Sequence, residues 1–352
     1  VIATDSQLAE ILPRLAEVDR IAVDTEADSL HCYFEKLCLI QITFAEQDYL
    51  IDPLAHIDLQ PLCAVLSKKE IVLQGMDFDL RLLRRSLSFV AHEVFDTVIA
   101  ARFIGLREFS LASLVQNYFG VTLPKGSQKA NWARRPLPRA MAQYAMNDTH
   151  YLLPIATKMQ SELESLGRLE WFRQSCRLAL AQASIERARD REQAWRIPGC
   201  GLFPARTNAI VRALWQWRDL EARAADRPAF HILQNEAILD AAKRFAAGET
   251  PDYSHFSDRR RRGFRAAAHA ALDLKEEDWP RRPERVHKPR SRDRDKRVLE
   301  LKQRRDEQAL ALALEPAFIA SRHALETIAA DEAASQSILA LWQRELLGLP
   351  TR

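Results

Sequence analysis

The spacing of apolar residues changes character along the chain. Between residues 20 and 75 they gather in short runs: RIAVDT (20–25), LCLIQITFA (37–45), QDYLID (47–52) and EIVLQG (70–75). Runs of this length, rich in β-branched residues, predict strands. SQLAEILPRLAEV (6–18) and LQPLCAVLS (59–67) instead repeat their apolar residues every three or four positions, which predicts helices. The first part of the chain thus reads as an α/β domain with a mixed sheet. From about Asp77 strand signals stop. Helices are predicted over FDLRLLRRSL (78–87), DTVIAARFIG (96–105), SLASLVQNYFG (110–120) and one long stretch from Pro138 to about Arg189. Gly105 and Gly120 stand where helix C-termini are expected.

After the Pro- and Gly-bearing segment WRIPGCGLFPARTN (195–208) the pattern is almost wholly helical, and it repeats. Leu214-x-Gln216-x-Arg218-Asp219 returns as Leu301-x-Gln303-x-Arg305-Asp306, an offset of 87. Pro228-Ala229-Phe230 returns as Pro316-Ala317-Phe318, an offset of 88, and Ala237-Ile238 aligns with Ala324-Leu325. The shared order of the matches points to a duplicated helical module. Between the copies lies PRRPERVHKPRSRDRDKR (280–297), whose prolines and like charges cannot build a packed core. An exposed basic linker is expected there.

At 352 residues the chain exceeds what one core organises. The expected division is a first domain over 1–192, a helical domain over 203–282, a linker over 283–296 and a second helical domain over 297–352. With 47% hydrophobic and 28% charged residues the composition is that of an ordinary globular protein. No apolar run approaches the roughly 20 residues that span a bilayer, and VIATDSQLAE has no export signal, so a cytoplasmic protein without a membrane partner is expected. The five cysteines form no CxxC pair and no zinc-type Cys/His spacing, which fits reduced, isolated thiols. Charge is uneven: residues 1–80 hold 15 Asp/Glu against 5 Lys/Arg, whereas residues 281–305 hold 12 Lys/Arg against 4 Asp/Glu. Such a chain suits cations at one end and a polyanion at the other.

The acidic end carries the candidate chemistry. Asp24 and Glu26 lie two apart on a predicted strand and therefore share a face. Close carboxylates repel unless a proton or a cation intervenes, and oxygen-only ligands select hard ions such as Mg²⁺ or Mn²⁺. Asp79 follows Gly75 at the start of an apolar-faced helix, where an acid is also favoured as a simple helix-terminus charge. Tyr144 and Asp148 in QYAMNDTHYLL stand four apart on one helical face.

In order and character, DTEAD, Phe78-Asp79 and YAMND resemble the three motifs of the DEDD superfamily of 3′-to-5′ exonucleases, in its tyrosine-bearing branch, and most closely ribonuclease D. The stretch from Ser110 to Leu152 resembles the region before the last motif of that family, and the helical repeats are similar to HRDC domains. The resemblance implies a ribonuclease H-like α/β exonuclease domain with a mixed sheet, followed by two all-α HRDC-like domains. It implies that Asp24, Glu26, Asp79 and Asp148 hold two divalent ions, Mg²⁺ or Mn²⁺, and that Tyr144 orients or helps deprotonate the attacking water. The substrate it implies is RNA with a free 3′ end, tRNA precursors in particular, cut to nucleoside 5′-monophosphates. No obligatory protein partner is evident. Expected substrate contacts are His31, Tyr33, Lys125, Gln128, Trp132 and Arg135, with Arg259 to Arg262 and the basic linker meeting phosphates. Gln74 departs from the family, which commonly has His before the second motif. A proofreading-type DNA exonuclease uses the same carboxylates, and an inactive nucleic-acid-binding module is the reading from another class.

Overall fold

In the computed structural model of the protein, residues 1–124, 126–185, 190, 192–281 and 291–351 are described. Five strands form one sheet: β1 (Arg20–Ala27), β2 (Leu37–Phe44), β3 (Gln47–Ile51), β4 (Glu70–Leu73) and β5 (Glu93–Asp96). Their order is β3-β2-β1-β4-β5. β1–β2 and β2–β3 are antiparallel, while β4 runs parallel to both β1 and β5, so the sheet is mixed as expected. β5 corrects the expectation that strands cease near Asp77. Glu93-Val94-Phe95-Asp96 has only two apolar residues, too few to show an alternation, and its strand character comes from pairing of Val94 and Phe95 with Ile71 and Val72.

Eight helices flank this sheet in sequence: α1 (Asp5–Glu17), α2 (Gln60–Leu66), α3 (Asp77–Leu87), α4 (Thr97–Ile104), α5 (Leu111–Phe119), α6 (Arg139–His150), α7 (Leu152–Ser165) and α8 (Leu169–Ala183). Gly105 and Gly120 close α4 and α5 in the left-handed conformation. The single long helix expected after Pro138 is three. Pro154 lacks the N–H that would continue the α6 ladder and is tolerated in the first turn of α7, and Gly167 turns the chain at φ +65° before α8.

The helical remainder comprises α9 (Ala205–Ala224), α10 (Ala229–Ile232), α11 (Asn235–Ala246) and α12 (Asp258–Leu272), then α13 (Arg292–Leu312), α14 (Pro316–Ile319), α15 (Arg322–Ala330), α16 (Ser335–Ile338) and α17 (Leu341–Leu347). The chain forms two compact units. One is Val1–Ala27, Leu37–Glu186 and Lys288–Arg352; the other is Asp28–Lys36 and Arg187–His287. Of the expected linker, residues 283–290 lie outside the described residues, and helix α13 begins at Arg292.

Within the first unit the last helices share the core of the α/β domain. Trp342 of α17 is 0% exposed; its Nε1 donates to Ser175 Oγ at 2.8 Å and its backbone N to Gln174 Oε1 at 2.9 Å. Its ring stacks on Trp171 with centroids 5.4 Å apart and meets Phe103 edge-on at 5.0 Å. Arg102 lies 4.3 Å over the Phe318 ring and pairs with Glu315 at 3.0 Å. Arg168 donates to the carbonyls of Phe103 and Leu312.

The duplicated motif has matching contacts. Arg218 donates to the Leu233 carbonyl at 2.8 Å, and Arg305 donates to the Ala320 carbonyl at 3.0 Å, both fifteen residues on. Helices α10 and α14 start at Ala229 and Pro316, so the offset stays at 87. The Pro-Ala-Phe match at 88 is therefore one residue out of structural register. Among the described residues no helix is long and apolar enough to cross a membrane.

Candidate active site

Strand β1 carries an apolar start, Ile21 to Val23, into the middle of the sheet and then presents Asp24 and Glu26 on one face. Helix α6 lies over that face, tied by a 2.7 Å hydrogen bond between Thr43 and Thr149. The adjacent Asp148 then reaches the strand carboxylates. One oxygen from each of Asp24, Glu26 and Asp148 lies within 4.8 Å of the others. Asp79 is not in that set of three. It sits in the first turn of α3, 5% exposed, and its Oδ1 accepts from the Thr25 N–H at 3.1 Å and the Thr25 hydroxyl at 2.5 Å. Thr25 thus ties the second motif to the strand between the two acids of the first. The turn that delivers α3 uses Gly75 at φ +81°, a conformation that favours glycine. Gln74 donates to the Phe109 carbonyl at 2.7 Å and accepts from Thr97, so it anchors this turn locally.

Burial and mutual repulsion set the electrostatics. Burial, then the charges of Asp79, Asp148 and Glu26, holds the Asp24 carboxyl well above the usual range. Burial, then Asp148 and Asp79, pushes Glu26 to about 9, and burial followed by Asp79 pushes Asp148 to about 7. Asp79 rises to about 6, because burial outweighs the Thr25 hydrogen bonds that lower it. Each group binds its proton more tightly folded than unfolded, where carboxylates titrate near 4. Folding is therefore favoured in acid, and that contribution is lost as pH rises through about 6, 7 and 9. In chelator, the melting temperature should fall by several degrees between pH 6 and pH 9, and saturating Mg²⁺ should restore it at the upper end. A melting temperature that stays flat or climbs over this interval would contradict the repulsion.

Tyr144 lies one turn before Asp148, half-buried, with Gly126 packed near its ring. Burial, then Asp148 and Glu26, pushes its phenol well above the usual range, so the hydroxyl keeps its proton at neutral pH. Gln128, in the exposed loop before α6, works against that rise and is the neighbour that favours the ionised phenol.

Other expected contacts fall elsewhere. Trp132 is 1% exposed, packed with Cys38, Leu39, Leu50, Met141 and Ala145, which leaves no ring face for a base. Arg135 grips both Asp52 oxygens at 2.6 and 2.7 Å and donates to the carbonyls of Trp132 and Cys38, so its fork holds the loop and not a phosphate. The Tyr33 hydroxyl donates to the Asp219 carboxylate at 3.0 Å, and its backbone N–H donates to Asp226. It and half-buried His31 belong to the second compact unit. Lys125 lies outside the described residues. Arg259 and Arg260 both pair with Glu221, at 2.6 and 3.1 Å, which offsets part of the basic cluster's charge.

Comparison with known proteins agrees with this geometry. A family model described as 3′-5′ exonuclease matches residues 1–164, and an HRDC domain model matches residues 207–247. The ribonuclease D of Sphingobium indicum is 34% identical over 247 residues, covering 68% of this chain and 63% of that protein. The ribonuclease D of Haemophilus influenzae is 33% identical over 247 residues, covering 69% and 62%. The chain thus carries a 3′-5′ exonuclease domain and is similar in sequence to ribonuclease D. It spans less than two thirds of the length of these two ribonuclease D relatives. The crystal structure of Escherichia coli ribonuclease D, described as an exoribonuclease involved in structured RNA processing, superposes with a TM-score of 0.69 at 27% identity. That superposition covers 93% of this chain and 89% of the other, so the likeness to ribonuclease D extends into the helical region.

Proposed function

We propose that the protein is a metal-dependent 3′-to-5′ exoribonuclease that trims structured RNA, tRNA precursors in particular, in the cytoplasm and releases nucleoside 5′-monophosphates. The observation that carries this reading is the trio of oxygens from Asp24, Glu26 and Asp148 within 4.8 Å of one another. Three half-buried acids that repel one another are a poor way to stabilise a fold, and a fitting way to hold divalent cations. Their all-oxygen chemistry suits Mg²⁺ or Mn²⁺. Asp24, Glu26 and Asp148 would ligate directly, with Asp79, fixed by Thr25, completing the charge. When bound, two such ions supply Lewis-acid activation of water and stabilise the departing 3′ oxygen.

The chain's own contributions are positional. Tyr144, protonated, donates a hydrogen bond that orients the attacking water toward the phosphate. A phenol held above its usual range is no general base at neutral pH. Tyr144→Phe keeps the ring and removes the donor; kcat should fall roughly 10- to 100-fold with little change in stability. A parental rate would reduce Tyr144 to packing.

The helical modules are assigned to RNA. Residues 203–282 form the HRDC domain, residues 297–352 a second HRDC-like one, and the basic segment between them meets phosphates without sequence preference. The function is tested with matched RNA and DNA oligonucleotides bearing free or blocked 3′ ends, assayed over a Mg²⁺ titration. Release of mononucleotides from free-ended RNA alone supports the reading. Preference for DNA would favour a proofreading-type enzyme, and no release from any substrate would leave only a binding module.

A further inference from the structure

Gln41 lies in the middle of β2, is 0% exposed, and among the described residues neither its Nε2 nor its Oε1 has a hydrogen-bond partner. A buried amide with both ends unmade is destabilising, and most buried polar groups are paired. Its place in the sheet explains what it lacks. In the antiparallel ladder Gln41 stands directly opposite Asp24 on one side and Leu50 on the other. Directly opposed residues project from the same face of the sheet, with Cβ atoms about 5 Å apart. Thr43, two residues on and therefore on that face too, bonds to Thr149 of α6, so this is the face that α6 covers and Asp148 shares. Thr43 has its partners in Asp48 and Thr149. Leu39 and Leu50 are apolar. Among the described residues, the polar group that the ladder gives Gln41 is Asp24, and no hydrogen-bond donor holds the Asp24 carboxylate.

The geometry points to Gln41 as a positioning residue of the carboxylate site: its amide N–H donates to Asp24, and its carbonyl accepts from water, when the cluster takes up a divalent cation. This rests on the reading that Asp24, Glu26 and Asp148 bind cations. Carboxylates that ligate metals are themselves oriented by hydrogen bonds, and losing such a partner weakens metal affinity or activity by about 10- to 100-fold. In the cation-free protein the amide is a burden on the fold; in the loaded site it has work that an apolar side chain cannot do.

The two roles have opposite signs, which makes the test sharp. Gln41→Met keeps length and volume and removes both polar atoms. Its melting temperature in chelator should exceed the parent's by a few degrees. Calorimetric titration with Mn²⁺ should show affinity weakened about 10- to 100-fold, and kcat should drop while KM for RNA stays within about twofold of the parent's. Parental Mn²⁺ affinity in Gln41→Met, or a lower melting temperature in chelator, would overturn the inference and leave Gln41 as packing. Should Gln41→Met not fold, Gln41→Leu serves: it too removes the amide N–H, so Mn²⁺ affinity should weaken about 10- to 100-fold, and parental affinity would overturn the inference. A parent protein that binds no Mn²⁺ would instead overturn the cation reading itself.

Discussion

Asp24→Asn should lower the rate of RNA hydrolysis by about 1,000-fold or more while raising the melting temperature of the cation-free protein. The loss follows from charge. An amide of the same shape keeps the packing of β1 but cannot help neutralise a divalent cation. Charge stabilisation by such an ion is worth several kcal/mol, at a factor of ten per 1.36 kcal/mol. The gain follows from the same arrangement, because Asp24 is pushed up by burial and by three neighbouring acids, and removing its charge relieves the others. RNA affinity in a gel-shift assay should stay within about twofold, as phosphate contacts set it. A parental rate would take the carboxylates out of the chemistry. A lowered melting temperature would mean that something other than repulsion governs this face of the sheet.

Trp342→Ala should destabilise the whole first unit by about 3–5 kcal/mol, the range for a large aromatic removed from a core. The side chain is fully buried, stacks on Trp171 and touches Phe103, and its indole N–H is bonded to Ser175. Those partners sit on α4 and α8, so the loss reaches helices of the exonuclease domain. Thermal unfolding should show one transition, shifted down, in which α13 to α17 and the α/β domain melt together. An early transition of the C-terminal helices with the α/β domain left at the parental temperature would contradict the shared core.

Much of this was legible in the sequence, for reasons of period. Strands β1 to β4 carry β-branched apolar runs, and the two-residue spacing of Asp24 and Glu26 and the four-residue spacing of Tyr144 and Asp148 translate directly into shared faces. β5 was not legible, since four residues with two apolar positions carry no period. Long-range partners were hidden as well. Arg135 looks like a phosphate ligand until Asp52, 83 residues away, is seen to hold it. The partner of the Tyr33 hydroxyl, Asp219, is 186 residues away and is not marked by any local pattern. Trp132 reads equally as a stacking platform or a core anchor, and burial decides for the core. Helices α13 to α17 have the amphipathic pattern of a self-contained module, and a pattern does not say which neighbour covers the apolar stripe; here α4 and α8 do. Gln41 attracts no notice in an apolar run, because what marks it is the absence of partners for both ends of its amide.

The most direct test is to count cations at the acidic face. Mn²⁺ titrated into the protein and followed by electron paramagnetic resonance loses its free-ion signal when bound. The parent protein should sequester Mn²⁺ in proportion to its concentration, and Asp148→Ala should leave most of that Mn²⁺ free. Equal uptake by the two proteins, or none by either, would contradict the account.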